Sequence, residues 1–460
     1  MGVARRDTTP PAGIFSRMWG AARHDRAEGI HRPLSATVLA LRAASDDPLR
    51  LLVALDLPLL GEVSRPADAE RVLGPVREAL DLGEGQLIVN CSHTHAAPPT
   101  ATSRSDLPGG ELIGPYLDQI GAAVRAAADE AVSGLAPSTL TWATGSSDLA
   151  TNRDLPAPEA GSERILCGFN PAGAADDTLV VGRVTRASDD GIVATVVNYA
   201  CHPTTLAWEN TLISPDFVGA MRELVERETA GAPCLFLQGA SGELAPAYQY
   251  VADPRVADQH GRRLGFSALA ALSSMLPPGQ GLGYEGLVES GAPLALWRPR
   301  AFAPPRTLAG GAISVELPLK PMPPLSDAGA APTTSDDRAL AERLFRRSQI
   351  LGAVAGRERH PAPAWVWQVG ESLIVAHPNE AYSRFQQELR RAFPGLTVVV
   401  MNTSGAELGY LYPADLEALD LYQVWQTPFA ADALLTLTDA CIAEGRRLLA
   451  TANAASNATG

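Results

Sequence analysis

The chain is short of cysteine, and what it has is scattered. Five occur in 460 residues (Cys91, Cys167, Cys201, Cys234 and Cys441), odd in number and mostly inside or beside apolar segments. That pattern excludes a disulfide framework and reads as reduced, buried thiols of a cytosolic protein. No apolar run reaches the roughly 18 residues a spanning helix needs, so no transmembrane segment is expected. The opening stretch, Met1 to Pro11, lacks the apolar core of a signal peptide, and a cytoplasmic location is expected. Basic residues are outnumbered, 37 against 51 acidic, giving a formal charge of −14 with no basic cluster. Nucleic acid and anionic membrane are therefore poor partners, and the acidity serves solubility. No internal repeat is visible.

What is present suits a sizeable core: 46% of residues are apolar and 19% charged. Residues 35–42 and 49–57 flank Ser45-Asp46-Asp47-Pro48, a strand–turn–strand signal. Helical spacing covers 66–81 (Val72, Val76 and Leu80 on one stripe), where Gly74-Pro75 predicts a kink or a split. A second helix is expected over 115–133 and a strand over 138–143. Residues 179–186 and 192–199 read as a hairpin about Asp189-Asp190-Gly191. Ser214-Pro215-Asp216 reads as a helix start with a capping serine. Strands are expected at 234–238, 312–319, 364–376 and 396–401, and helices at 255–276, 336–351, from 377–380 onward, and 429–450. The Pro- and Gly-rich stretch 277–335 is the candidate insertion or lid within one domain spanning 1–450, and 451–460 the candidate disordered tail. Interleaved strands and helices with hairpins predict a mixed α/β layered fold, its site at strand ends.

The apolar run Gln86 to Asn90 leads into Cys91-Ser92-His93-Thr94-His95. Two histidines two residues apart at a strand end point to one face. The run Ile192 to Ala200 leads likewise into Cys201-His202-Pro203. Two strand ends that meet in this way, with one carboxylate, suffice to hold a metal such as zinc, whose bound water can attack a carbonyl. Nitrogen and oxygen ligands suit iron, manganese or nickel as well. Glu243, in a loop past a strand, is a candidate for moving protons. Asp56 and Asp216 are candidates for orienting the histidines, while His31 and His377 read as structural. Trp208, shortly past His202, is the tryptophan expected near the pocket. Trp297, Trp365, Trp367 and Trp425 read as core.

Several motifs, in order, resemble the catalytic domain of the neutral (non-lysosomal) ceramidases and their bacterial relatives. They run from Thr9-Pro10-Pro11-Ala12-Gly13-Ile14 and Gly29-Ile30-His31-Arg32-Pro33-Leu34 through Ala54-Leu55-Asp56-Leu57 and Ser92-His93-Thr94-His95-Ala96-Ala97-Pro98. They continue with Asn152-Arg153, Cys201-His202-Pro203, Ser214-Pro215-Asp216, the stretch Gly239 to Pro246, His377-Pro378-Asn379-Glu380 and Gly409-Tyr410-Leu411. The resemblance implies one catalytic zinc held by His93, His202, Glu380 and Tyr410, with His95 beside it and Arg153 facing the pocket as a substrate or oxyanion partner. It also implies cleavage of an N-acyl amide by zinc-activated water.

Three departures shape the expectation. Ala245 stands where the family has a serine, and an alanine side chain can neither donate a hydrogen bond nor act as a nucleophile. The family's secretion signal is missing, and there is no room for a C-terminal immunoglobulin-like domain. The expectation is a cytoplasmic hydrolase of a small or lipid-like N-acyl amide. An amide-forming or acyl-transfer enzyme on the same cradle, or a non-catalytic metal-binding relative, stands as the alternative.

Overall fold

The computed structural model describes residues 1–159, 163–321 and 337–459. Its helices are α1 (Pro66–Leu80), α2 (Ile113–Ser133), α3 (Phe217–Glu228), α4 (Pro254–Ser273), α5 (Arg338–Val354), α6 (Arg384–Ala392), α7 (Tyr422–Gln426) and α8 (Ala433–Thr459).

Three four-stranded sheets carry the core, and each is built the same way. In the first, the antiparallel strands Ser35–Leu41 and Arg50–Leu55 are followed by α1 and then by Leu87–Cys91, which lies parallel to Arg50–Leu55. In the second, the hairpin Thr178–Arg186 and Ile192–Tyr199 is followed by α3 and the parallel strand Cys234–Gln238. In the third, Arg359–Val369 and Ser372–Ala376 are followed by α6 and the parallel strand Thr397–Met401. This recurrence is topological and leaves no repeat in the sequence. The mixed α/β layered architecture expected from the chain is the one observed.

The inner faces of the three sheets meet in a shared core: Leu52 and Ile88 from the first, Val196 and Leu235 from the second, Trp367, Ile374 and Val399 from the third. Their outer faces are covered by α1 and α2, by α3 and α4, and by α6 and α8. Burial on both faces explains why the strands read as continuous apolar runs. The last strand of each sheet would leave an unpaired edge inside the protein. Side-chain amides and a backbone bond between sheets satisfy those edges. Asn90 Oδ1 accepts from Gln238 N at 2.8 Å, Asn402 N donates to Gln238 O at 3.0 Å, and Asn198 Nδ2 donates to Val400 O at 2.8 Å.

Several local expectations shift. Helix α1 continues through Pro75. Val72, Leu73 and Val76 are buried in the first core, and that packing outweighs the missing backbone donor. Helix α3 starts at Phe217, with Asp216 as its cap and Ser214 outside it. The run 364–376 is a hairpin that turns at Gly370, whose φ of 57° suits glycine. Glu380 lies in a two-residue strand, and α6 begins only at Arg384. Within the proposed insertion, Gln280–Glu289 and Pro293–Ala301 form an exposed hairpin and Leu308–Pro318 joins the third sheet. Residues 322–335 of it lie outside the described residues. Helix α8 continues through 451–459, where the sequence reads as a tail. Trp297 and Trp425 are exposed, 54% and 41%, not core.

Candidate active site

Loops that leave the parallel strand pairs of the first and third sheets line one cavity of about 190 Å³, and the second sheet's loop sets His202 behind it, against Glu380. His93 follows Leu87–Cys91, His202 follows Ile192–Tyr199, Glu380 follows Ser372–Ala376 and Tyr410 follows Thr397–Met401. Each of the three sheets therefore contributes to the same point, as open α/β sheets commonly do.

His93 has φ 66°, a left-handed conformation that non-glycine residues rarely adopt. Two backbone bonds hold it there: Ser92 N to Leu55 O at 2.8 Å and His93 N to Leu57 O at 2.9 Å. The chain has left the sheet at Cys91, so strand alternation is not what brings His93 and His95 together. The sharp turn does so, leaving their ring centroids 5.0 Å apart.

Carbonyl oxygens set the tautomers. His93 Nδ1 lies 2.8 Å from Pro58 O, and His202 Nδ1 lies 2.7 Å from Ser241 O. A carbonyl only accepts, so each Nδ1 carries the proton and each Nε2 of a neutral ring presents a lone pair. Burial, with Arg153 as a second cause, pulls His202 down to about 4, so its ring is neutral at pH 7. Glu380 Oε2 sits 2.8 Å from His202 Nε2 and 3.3 Å from His93 Nε2. Burial works against the Glu380 charge, and positive charge at the adjacent histidine nitrogens is what holds the carboxyl well below the usual range.

The result is a set of acceptors facing one another at close range. The buried Nε2 atoms of His93 and His95 have no hydrogen-bond partner among the described residues. His93, His95 and His202 offer nitrogens that all lie within 4.8 Å of one another, a group that could hold a metal ion. Two donors on one tetrahedral zinc at ~2.0 Å stand roughly 3.3 Å apart, so the donor set fits such an ion.

Tyr410 reaches the cavity because Gly409 takes φ 145°, where a side chain would collide with Thr427 Oγ1. The Tyr410–Leu411 strand pairs in parallel with Glu380–Ala381, in the register Glu380 to Tyr410. Arg153 donates from Nη2 to Tyr410 Oη at 3.3 Å and from Nε and Nη2 to Gly242 O at 3.1 and 2.7 Å. It is buried and does not line the cavity, so it touches the site through the tyrosine.

Other expected residues sit elsewhere. Glu243 does not line the cavity; its carboxylate accepts from Ser383 N at 2.9 Å and from the Ser383 hydroxyl, and burial raises it to about 7. Asp56 pairs with Arg222 at 2.8 Å and accepts from Ser35 N. Asp216 caps α3 and accepts from Leu206 N at 2.9 Å. Neither touches a site histidine; main-chain carbonyls orient the rings, and no side-chain motif signals that. His31 is tied to Ser214 and Asp258, a structural role as expected. Ala245 is fully buried in a short strand paired with Ala150–Asn152. Trp208 packs on Trp19 and Tyr250 behind His95 and does not line the cavity.

The sequence reading missed Trp19, whose ring lies 5.2 Å from His95, and Glu407, a cavity carboxyl raised well above its usual range by burial and by Glu380. It also missed the wall of the cavity. Helix α5 supplies Glu342, Phe345, Arg346 and Ile350, whereas none of residues 277–321 reaches it. A helix over 336–351 was expected, but not what its inner face would cover.

Fold and site define a layered mixed-sheet protein with a histidine–carboxylate centre where parallel strands end. The chain belongs to the neutral/alkaline non-lysosomal ceramidase family, whose N-terminal domain model matches residues 1–246. The crystal structure of neutral ceramidase from Pseudomonas aeruginosa is similar, with a TM-score of 0.68 at 16% identity over 96% of this chain and 73% of that one. A ceramidase complexed with C2 gives 0.67 at 15% identity, over 96% and 74%. These likenesses carry the fold past residue 246 to nearly the whole chain. No curated protein sequence matches it. Membership of the family makes the chain a hydrolase acting on a carbon–nitrogen amide bond. No helix among the described residues is long and apolar enough to cross a membrane.

Proposed function

We propose that the chain is a zinc-dependent hydrolase of an N-acyl amide in a small or lipid-like substrate. The observation that carries this is the approach of Glu380 Oε2 to both His202 Nε2 and His93 Nε2, at 2.8 and 3.3 Å, where His93 and Glu380 line the cavity and His202 lies buried behind them. Lone pairs aimed at a carboxylate oxygen repel it unless a cation lies among them. His93, His202, Glu380 and Tyr410 would hold the ion. When bound, zinc would lower the pKa of water and polarise the acyl oxygen.

The chain's own residues do the rest. Burial, then His93 and His202, pulls His95 well below its ordinary value, so it is neutral at pH 7 and its free Nε2 accepts a proton. Arg153 orients the Tyr410 hydroxyl, and its charge would favour an oxyanion formed beside that hydroxyl. The test is His202→Ala assayed on a panel of N-acyl amides, with circular dichroism to check the fold. Loss of both metal and hydrolysis is expected; unchanged turnover would remove the mechanism.

A further inference from the structure

The cavity lining also carries an arginine–glutamate–arginine triad that the hydrolytic chemistry does not use. Glu342 Oε1 accepts from Arg104 Nη2 at 2.7 Å and from Arg346 Nε at 2.8 Å. Two guanidinium groups share one carboxylate, so the triad carries a net positive charge. Glu342 and Arg104 are 7% and 11% exposed, whereas Arg346 is 33% exposed. All three line the cavity together with His93, His95, Glu380 and Tyr410. Arg346 Nη2 is used by Met18 O at 2.8 Å, and its Nη1 has no partner among the described residues. Arg104 is pinned over the Phe345 ring, 3.6 Å from its centroid.

A half-buried cation left in excess is costly unless an anion completes it. The other cavity acids are poor counter-ions: burial pushes the Glu62 carboxyl up and Ser103 already donates to it, burial and Glu380 hold the Glu407 carboxyl well above its usual range, and Glu380 faces the histidines. Arginine presents a planar fork that matches a carboxylate. The same cavity lining includes Leu59, Val63, Phe345, Ile350 and Ala353, apolar surface that suits an acyl chain.

From this we infer that the substrate is an amide whose amine portion bears a carboxylate, an N-acyl amino acid, and that Arg346 binds that carboxylate with Arg104 and Glu342 holding it in place. This rests on the amide-hydrolase reading and names its substrate class. Ceramide-like amides are neutral and would leave the charge unmatched.

The test compares N-lauroylglycine with N-lauroylethanolamine, which share the acyl chain and differ in charge. Binding is measured by calorimetry, and kcat and KM are measured in parallel, for the metal-loaded wild type, Arg346→Met and Arg346→Lys. The wild type is expected to favour the glycine conjugate by roughly tenfold or more. In Arg346→Met that ratio falls towards one, chiefly through binding and KM. In Arg346→Lys, which keeps the charge without the fork, part of the ratio returns and also shows that the site still folds. Equal handling of the two amides by the wild type, or a preference that survives Arg346→Met, overturns the inference while leaving the hydrolase reading intact. Arg346-dependent binding of N-lauroylglycine with no cleavage of any amide would uphold the inference and remove the hydrolase reading instead.

Discussion

Glu380 and Tyr410 are register partners in a two-residue parallel pair, Glu380–Ala381 against Tyr410–Leu411, at the mouth of the third sheet. A backbone ladder thus fixes the spacing of a carboxylate and a phenol that belong to separate loops. Beside them, His93 and His202 are fixed by the carbonyls of Pro58 and Ser241, in loops that leave the first two sheets. A centre assembled from three sheets should be sensitive to any shift of one against another.

The donor set should retain a metal. Protein purified without chelator or His-tag should contain about one zinc per chain by mass spectrometry, and a His93→Ala, His202→Ala double variant should contain none. Chelation should lower the thermal midpoint of the wild type but not of the variant. A metal-free wild type would count against the cradle.

Gly242 should not tolerate a side chain. A Cβ there would stand 2.8 Å from Tyr382 Cδ2 and 3.1 Å from Tyr382 N, in the backbone just after Glu380–Ala381. Gly242→Ala should displace that strand, costing about 1–3 kcal/mol of stability and at least ~10-fold in kcat. Urea denaturation and steady-state kinetics check both.

Arg153→Met should leave the Tyr410 hydroxyl and the Gly242 carbonyl without their shared donor. Activity should fall by roughly 10- to 100-fold, and stability by about 1–3 kcal/mol. Arg153→Lys should recover little, because one ammonium cannot reproduce the paired contacts on Gly242 O. Full activity in the lysine variant would show that charge alone is needed.

Glu243 gives a pH dependence of stability. Its folded value of about 7 lies above the ordinary carboxyl value, so the folded state holds a proton the unfolded chain releases. Its contribution is fully present below about pH 4.5 and is lost as pH rises through about 7. The loss is on the order of 3 kcal/mol. Glu243→Gln should flatten that decline, as measured by denaturation between pH 5 and 8. An unchanged slope would assign the decline to another group.

The Asp56–Arg222 pair is buried, and Ser35 bonds to both partners. Arg222→Met alone should cost about 3–5 kcal/mol by leaving a buried carboxylate unpaired. Adding Asp56→Asn should return part of it. Chemical denaturation of the two variants decides the point.

The legible part of the fold was its period. The hairpin ending at Tyr199, the apolar strand ending at Cys91 and the helices over 115–133 and 255–276 stand within a few residues of their expected places, because their hydrophobic spacing is a local property. The ceramidase resemblance followed from motifs that keep their order. Less legible was anything set by neighbours distant in sequence. Helix α1 runs through Pro75 because the first core holds it, and Glu243 turns to Ser383 because α6 presents a backbone donor there.

By itself the sequence determined which residues could carry the chemistry: His93, His95, His202, Glu380, Tyr410 and Arg153 lie past strand ends, and residue type and local spacing are written in the chain. Only the tertiary structure decided how they meet. Three sheets of like topology close on one another through Asn90, Gln238 and Asn402, bringing together loops that start far apart. It also decided that carbonyls orient the histidines and that α5 and Arg104 build a cationic triad in the same cavity. Those relationships depend on long-range packing, which no local pattern records.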